Sequence, residues 1–243
     1  MSAPASRPST RSRRRRLALL IPAVVVAPVV LAACKMDVDV DTENKNTATY
    51  DVSGKPAKLS VATTAGKVTI VEKDVASVQV TETRHWEGDT EPTTTHNVTD
   101  GTLELRYKCG KKDCWVSYDV TVPRGTAAKV ETDAGAVTVT GLSGDLDLST
   151  SAGKIDGTGL TAKNATARTT AGSLDLSFAA APHDVDAKTT AGRATVRVPD
   201  TQGYNVDVEA TVGDTDVKVR KDGAAASKIK VRTTAGQARV IPS

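Results

Sequence analysis

The chain has 243 residues, of which 32 are basic and 29 acidic, with three cysteines and only 3% aromatic residues. Six arginines and no acid fall in residues 1–33, so the remainder holds 26 basic against 29 acidic residues, a net charge of −3. A mildly acidic chain without a basic patch or interleaved aromatics excludes a nucleic-acid binder, and the scarcity of any 3.6-residue hydrophobic period excludes a helical domain.

Residues 1–33 read as a targeting segment. Arg11, Arg13, Arg14, Arg15 and Arg16 form a basic head, and Leu17 to Val30 is an apolar stretch of 14 residues broken by Pro22 and Pro28. A membrane-crossing helix needs about 20 apolar residues, so this stretch fits a signal-peptide core. Leu31-Ala32-Ala33-Cys34 then resembles the bacterial lipobox. The resemblance implies cleavage before Cys34, a lipid on its thiol and a place on the extracytoplasmic face of the cell membrane. The other reading is an ordinary cleaved signal with an incidental cysteine. Residues 34–46 follow as a polar tether. Asp37, Asp39, Asp41 and Glu43 lie within it but lack the glycine and spacing of a calcium loop.

The folded domain is expected over residues 47–243. Tyr50 and Val52 mark a first strand, and a first repeat unit follows around Gly66. Residues 72–126 depart from the repeat. Alternation at Val78 and Val80, at Leu103 and Leu105, and from Val116 through Tyr118 and Val120 to Val122 predicts three strands. Glu87 to Gly101, rich in Thr, Asp, Glu and Pro, reads as a loop. Cys109 and Cys114 flank four residues, and a disulfide is the default for an exported chain. A redox pair would call for two intervening residues. The bridge would close a tight loop, as in a hairpin.

From Pro123 the repeats run to the end of the chain. Their central glycines are Gly66, Gly135, Gly153, Gly172, Gly192, Gly213 and Gly236, and after a first interval of 69 the spacings are 18, 19, 20, 21 and 23. A period near 20 residues is the signature of a stacked-coil solenoid. Counting from Gly172, Ala171, Thr169, Ala167 and Ala165 precede it at odd offsets, and Leu174 and Leu176 follow at even ones. Alternation at period two means strand, so each coil reads as strand, glycine corner, strand. Coils stacking in chain order would leave an open end near Val240-Ile241-Pro242, with Pro242 helping to cover it. The threonines at offset −3 are expected to satisfy corner backbone groups.

The lipobox, the Tyr118–Gly125 stretch and the Ala-Gly-x-hydrophobic-x-hydrophobic coils together resemble a bacterial family of β-strand-repeat domains labelled "putative adhesin". That resemblance implies an all-β fold, a right-handed parallel β-helix or β-solenoid, and brings no catalytic motif.

Four sets of residues are candidates for chemistry. His85, His96 and His183 lack triad order or metal-ligand spacing. Asp156, Asp175 and Asp216 share offset +3, and Arg168 and Lys188 share offset −4, which stacked coils would align about 4.8 Å apart. Such rows could serve a carbohydrate-active enzyme or calcium, or be a solvated face; the solvated face is the expectation. Trp86, Trp115 and Tyr118 could contact a ligand or cap the solenoid. The sequence thus points to a lipid-anchored, non-catalytic contact protein without metal or cofactor, engaging an envelope polysaccharide or protein. The rivals are a β-helix enzyme and an envelope-sensing scaffold.

Overall fold

The computed structural model describes residues 43–110 and 113–243. The expected signal peptide, Cys34 and the expected tether up to residue 42 lie outside the described residues. All sixteen elements are strands. β1 (Asn44–Val52) begins three residues before the expected domain start, and β2 (Lys58–Thr63) and β3 (Val68–Glu72) meet around Gly66. The irregular region supplies β4 (Val78–Trp86), β5 (Thr93–Thr99), β6 (Thr102–Lys108) and β7 (Cys114–Val122). Strands β8 (Ala127–Thr132) and β9 (Val137–Thr140) flank Gly135, β10 (Leu146–Ala152) and β11 (Ile155–Leu160) flank Gly153, and β12 (Asn164–Ala171) and β13 (Leu174–Phe178) flank Gly172. In β14 (Asp184–Val198), β15 (Asn205–Val217) and β16 (Lys228–Pro242) the strand runs through its glycine.

These strands form one sheet folded into two faces. The first face runs β5-β6-β2-β8-β10-β12-β14 and the second β1-β4-β7-β3-β9-β11-β13-β14. β14 belongs to both, pairing β12 before its glycine and β13 after it. β16 and then β15 continue both faces. Pairing is antiparallel only where β1, β4 and β5 join. The result is the β-solenoid-like fold that the period predicts.

The core lies between the faces and is filled from fixed offsets. At the Gly172 corner, Ala165, Ala167, Thr169, Leu174 and Leu176 are all 5% exposed or less. Offset −1 is a correction: Ala65, Ala134, Ala152, Ala171, Ala191 and Ala235 are exposed. The chain already turns outward there, so the corner spans the residues between offsets −3 and +2.

Each corner closes on the one beneath it. The hydroxyls of Thr150, Thr169, Thr189 and Thr233 donate to the carbonyls of Gly135, Gly153, Gly172 and Gly192 at 3.2–3.3 Å. Thr63 does the same to Val116 at 2.9 Å, and Thr132 to Thr64 at 3.4 Å. The same carbonyls explain the glycines. A methyl on Gly172, whose φ is +152°, would overlap the carbonyl oxygen of Gly153, a backbone atom that cannot step aside.

The stacking order differs from chain order at both ends. The β2–β3 rung lies between β6–β7 and β8–β9, and β16 lies between β14 and β15. The terminal rung is therefore β15, not the stretch ending at Pro242, and Val240 is fully buried. Two physical reasons favour this order. β16 carries Thr233, which reaches the Gly192 carbonyl, whereas β15 has Ala210 at that offset. Arg232 and Arg239 of β16 also meet Asp207 and Asp216 of β15 at 3.0 and 2.9 Å.

Two further expectations change. The Glu87–Gly101 segment contains β5, which pairs β6 along its length. Its side chains are exposed except Thr94, so no alternation marks it, as befits an edge strand wet on both sides. Strands β6 and β7 do not form a hairpin: they lie on opposite faces, and the disulfide stands where other rungs have a glycine corner.

Two substitutions test the corner. Thr169→Val should lower stability by about 1 kcal/mol, the value of one lost hydrogen bond, read as a fall in thermal midpoint; a rise would refute the donor role. Gly172→Ala should cost more, about 3 kcal/mol or above, because both overlap and backbone strain oppose it.

Candidate functional site

Corner stacking aligns the outward rows as well as the inward ones. On the first face, offset −4 runs Ala62, Glu131, Ser149, Arg168 and Lys188 in register. Offset −2 carries Thr64, Asp133, Ser151, Thr170 and Thr190, all exposed. The side chains are small in the rungs at Ala62, Thr64, Ser149 and Ser151, longer at Glu131 and Asp133 on the β8 rung between them, and longer again at Arg168 and Lys188. A groove of about 1140 Å³ results, crossing the strands of the first face.

The ends of the groove are cationic. Arg106 and Lys108 on β6 bound it at one end, Arg168 on β12 and Lys188 on β14 at the other, and Thr93 and Thr95 of β5 line the first of these ends. The lining holds four cations against Glu131 and Asp133, an excess of two positive charges where residues 34–243 together carry −3. Arg168 is held by Asp186 at 3.0 Å and Arg106 by Glu104 at 3.3 Å. Lys188 makes no ion pair among the described residues. At the β6 end, the Tyr107 hydroxyl accepts from the Thr64 amide at 3.1 Å and also bonds the Thr64 hydroxyl. The groove can therefore offer hydroxyls at multiples of the rung spacing, about 4.8 Å, interrupted by Glu131 and Asp133, between two positive banks.

The aromatic residues separate. Trp115 and His85 are cross-strand partners on the outer side of the second face, stacked with centroids 5.0 Å apart, and His85 bonds Glu43 at 2.6 Å. Trp86 shares the strand parity of Val78 and Val80, facing the closed end. Tyr118 points into the core and is 1% exposed, which removes it from any surface set. Burial, reinforced by the nearby Glu82 carboxylate, pushes its phenol above the usual tyrosine range. Glu82 is itself 3% exposed and accepts from Thr94 at 2.8 Å and Tyr50 at 3.2 Å, tying β4 to β5 and β1. His96 packs on Tyr50 with ring centroids 4.4 Å apart, and His183 is exposed. These groups build the cap and do not converge on a common point.

Asp156 and Asp175 are in register on the second face, as the repeat predicts. Each is bonded to a cation, Asp156 to Lys154 and Asp175 to Arg197. Next along the row come Thr195, Arg239 and Asp216. The Arg239 guanidinium holds the Asp216 carboxyl below the usual carboxylate range. A row whose acids are already matched by cations offers no free carboxylate pair. Among the described residues no group of three or more His, Cys, Asp or Glu is placed to hold a metal ion.

Cys109 and Cys114 are bridged, with Cα atoms 5.6 Å apart. The groove rows were visible in the repeat as a hydroxyl two residues before most of the glycines, but nothing local marked them as concave. Two outcomes follow. Replacing both bridged cysteines with serine should cost about 2 kcal/mol, the loop-closure value for so short a ring, measured by denaturant unfolding. Asp156→Ala with Asp175→Ala should leave ligand retention unchanged in a pull-down assay.

Over residues 35–240 the chain matches the family model described as Toastrack DUF4097. A comparison with curated proteins finds no match. Among solved structures the chain is similar to a "putative cell adhesion protein" from Clostridium sporogenes ATCC 15579, at 12% identity and a TM-score of 0.48, covering 82% of this chain and 100% of that one. It is also similar to a "putative adhesin" from Bacteroides fragilis NCTC 9343, at 16% identity and a TM-score of 0.46, covering 84% and 99%. The family match takes in every strand but the last residues of β16, and the chain belongs to the Toastrack DUF4097 family.

Proposed function

We propose that this chain is a non-catalytic contact protein of the cell surface that holds an extended polysaccharide of the envelope in the groove of its first face. The observation that carries the reading is the groove itself: Thr64, Ser151, Thr170 and Thr190 repeat along it, Asp133 takes the same place in the β8 rung, and cations bound both ends. A sugar chain laid across the strands repeats at nearly the rung spacing, so successive hydroxyls meet successive residues without a specially shaped pocket. The adhesion names of the two solved structures belong to those proteins. An enzyme would need an acid and a base converging on one bond, and the carboxylates of the second face are instead neutralised one by one.

Anchoring belongs to the same proposal. The basic head, apolar core and Leu31–Cys34 lipobox support export, lipidation at Cys34 and attachment to the extracytoplasmic face of the cell membrane. Two acyl chains would hold the protein there, each buried CH₂ contributing about 0.8 kcal/mol. Cys34→Ser should abolish incorporation of labelled fatty acid into the protein and leave residues 1–33 uncleaved; labelling that persists in the variant would refute lipidation at Cys34.

The direct test incubates the chain from residue 35 onward with isolated wall material and a polysaccharide panel, scoring retention and released fragments together. Retention without fragments is expected. Ser151→Trp, which fills the groove from an exposed position, should weaken retention at least about tenfold while stability changes by no more than about 0.5 kcal/mol. Released fragments would make the protein an enzyme. No retention would refute the polysaccharide reading and favour a protein partner, sought by crosslinking in the native membrane.

A further inference from the structure

The two ends of the solenoid are finished differently. The end at β6 and β7 is extended by antiparallel β1, β4 and β5, and it places Glu82 and Arg84 on the inward side of β4. The end at β15 is covered less: among the described residues, the returning loop at residues 220–222 pairs Tyr204, just ahead of the strand, and leaves the strand's own edge open. β16 occupies one side, and no described strand pairs the other side over the 13 residues Asn205–Val217. Inward Val206, Val208, Ala210 and Val217 are only partly buried, and Thr215 is exposed. Their equivalents on β16, Ile229, Val231, Thr233, Ala238 and Val240, are 4% exposed or less. Val212 at the corner is 67% exposed. Natural sheets blunt a free edge with proline, lysine, inward charge or a covering loop. Strand β15 contains no proline, no lysine and no inward charge.

We infer that β15 pairs antiparallel with β15 of a second copy of this chain, about a two-fold axis between Val212 and Gly213. The strand approaches the corner on one face and leaves it on the other. A two-fold rotation through the corner therefore lays each half against the other half of its mate with direction reversed. Inward residues must meet inward residues, and the register centred on the corner achieves this: Ala210 opposite Thr215, and Val208 opposite Val217. The inward row is a palindrome about that axis, small residue to small residue and valine to valine. Self-complementarity of this kind is what a two-fold interface requires, and it selects a second copy over an unrelated strand.

The outward residues fit the same register. Thr211 falls opposite Asp214, and Asp207 opposite Lys218. Glu209 falls opposite Asp216, a like-charged pair, but each is already matched by an arginine of β16: Arg232 lies 3.4 Å from Glu209 and Arg239 lies 2.9 Å from Asp216. Thirteen residues from each copy fall short of the roughly 20–30 per side of a standard interface. The dimer is therefore weak and concentration-dependent. This inference does not rest on the groove, which lies on another part of the first face.

Sedimentation of the chain from residue 35 onward, from micromolar to hundreds of micromolar, is the test. A reversible dimer is expected. Val212→Lys, at an exposed position, should weaken it at least about tenfold, equivalent to one decade in Kd, with the thermal midpoint unchanged. The double variant T211C D214C should form a covalent dimer on oxidation, and T211C D216C should not. A monomer at every concentration would overturn the inference. So would a dimer that is indifferent to Val212→Lys, or one that crosslinks equally through both cysteine pairs.

Discussion

Where a rung turns its corner, a carbonyl points along the stack, and the whole solenoid depends on what meets it. Strand ladders satisfy the straight segments on either side but cannot satisfy the bend. The next rung supplies both answers within four residues. A threonine three places before the glycine donates its hydroxyl to that carbonyl, and the bare Cα of the glycine lets the oxygen approach. Neither works alone. The hydroxyl without the glycine would be held off by a side chain, and the glycine without the hydroxyl would bury an unpaired acceptor. Together they set both the spacing of the rungs and their rotational phase, so every other row falls into line. Aligned outer rows are a consequence of the corner, and the groove is a consequence of the aligned rows.

The same constraint accounts for what could be read from the sequence. Because each repeat must restate the corner, the glycines, the threonines and the inward offsets recur with a period that needs no structure to see. Rung order is another matter. A repeat declares that it stacks but not on which neighbour, and the loops after β3 and β15 are long enough to pass over a rung. Ala210 was the local clue: the repeat lacking the donor is the one placed last. The strand β5 escaped because an edge wet on both sides needs no alternation. Tyr118 illustrates a different difficulty. Its inward parity with Val116 and Val120 was legible, but aromatic character drew attention to it as a surface group, and parity prevails. The outward alanines before each corner mark the limit of a period-two rule, which holds along a strand and fails where the strand bends.

The groove was legible in parts. Its hydroxyl row and the Arg168–Lys188 pair stand in the repeat, but concavity comes from side chains being short in some rungs and long in others. Which rungs adjoin decides that. Placing β6 next to β2, far from it in sequence, brings Arg106, Lys108 and Tyr107 to one end and gives the trough a boundary. No window of the sequence contains both banks.

A solenoid repeats its surface as well as its core, and this bears on what kind of activity it suits. Catalysis needs a place where the row is broken, with an acid and a base set apart in environments that pull their proton affinities in different directions. On the second face the rows are kept regular and neutral instead: Lys154 beside Asp156, Arg197 beside Asp175, Arg239 beside Asp216. Charge there joins rungs at Arg197–Asp175 and Arg239–Asp216 and pairs within one rung at Lys154–Asp156. On the first face the excess cations stand at the groove's ends, with small hydroxyls and the β8-rung carboxylates Glu131 and Asp133 between them, an arrangement that gains from length rather than from one focal point. A polymer, itself a repeat, meets such a surface with many equivalent contacts, each weak in water and effective only in sum. The feature that makes the fold easy to recognise, one corner restated at every level, is thus the feature that lays long rows of equivalent contacts along its outside.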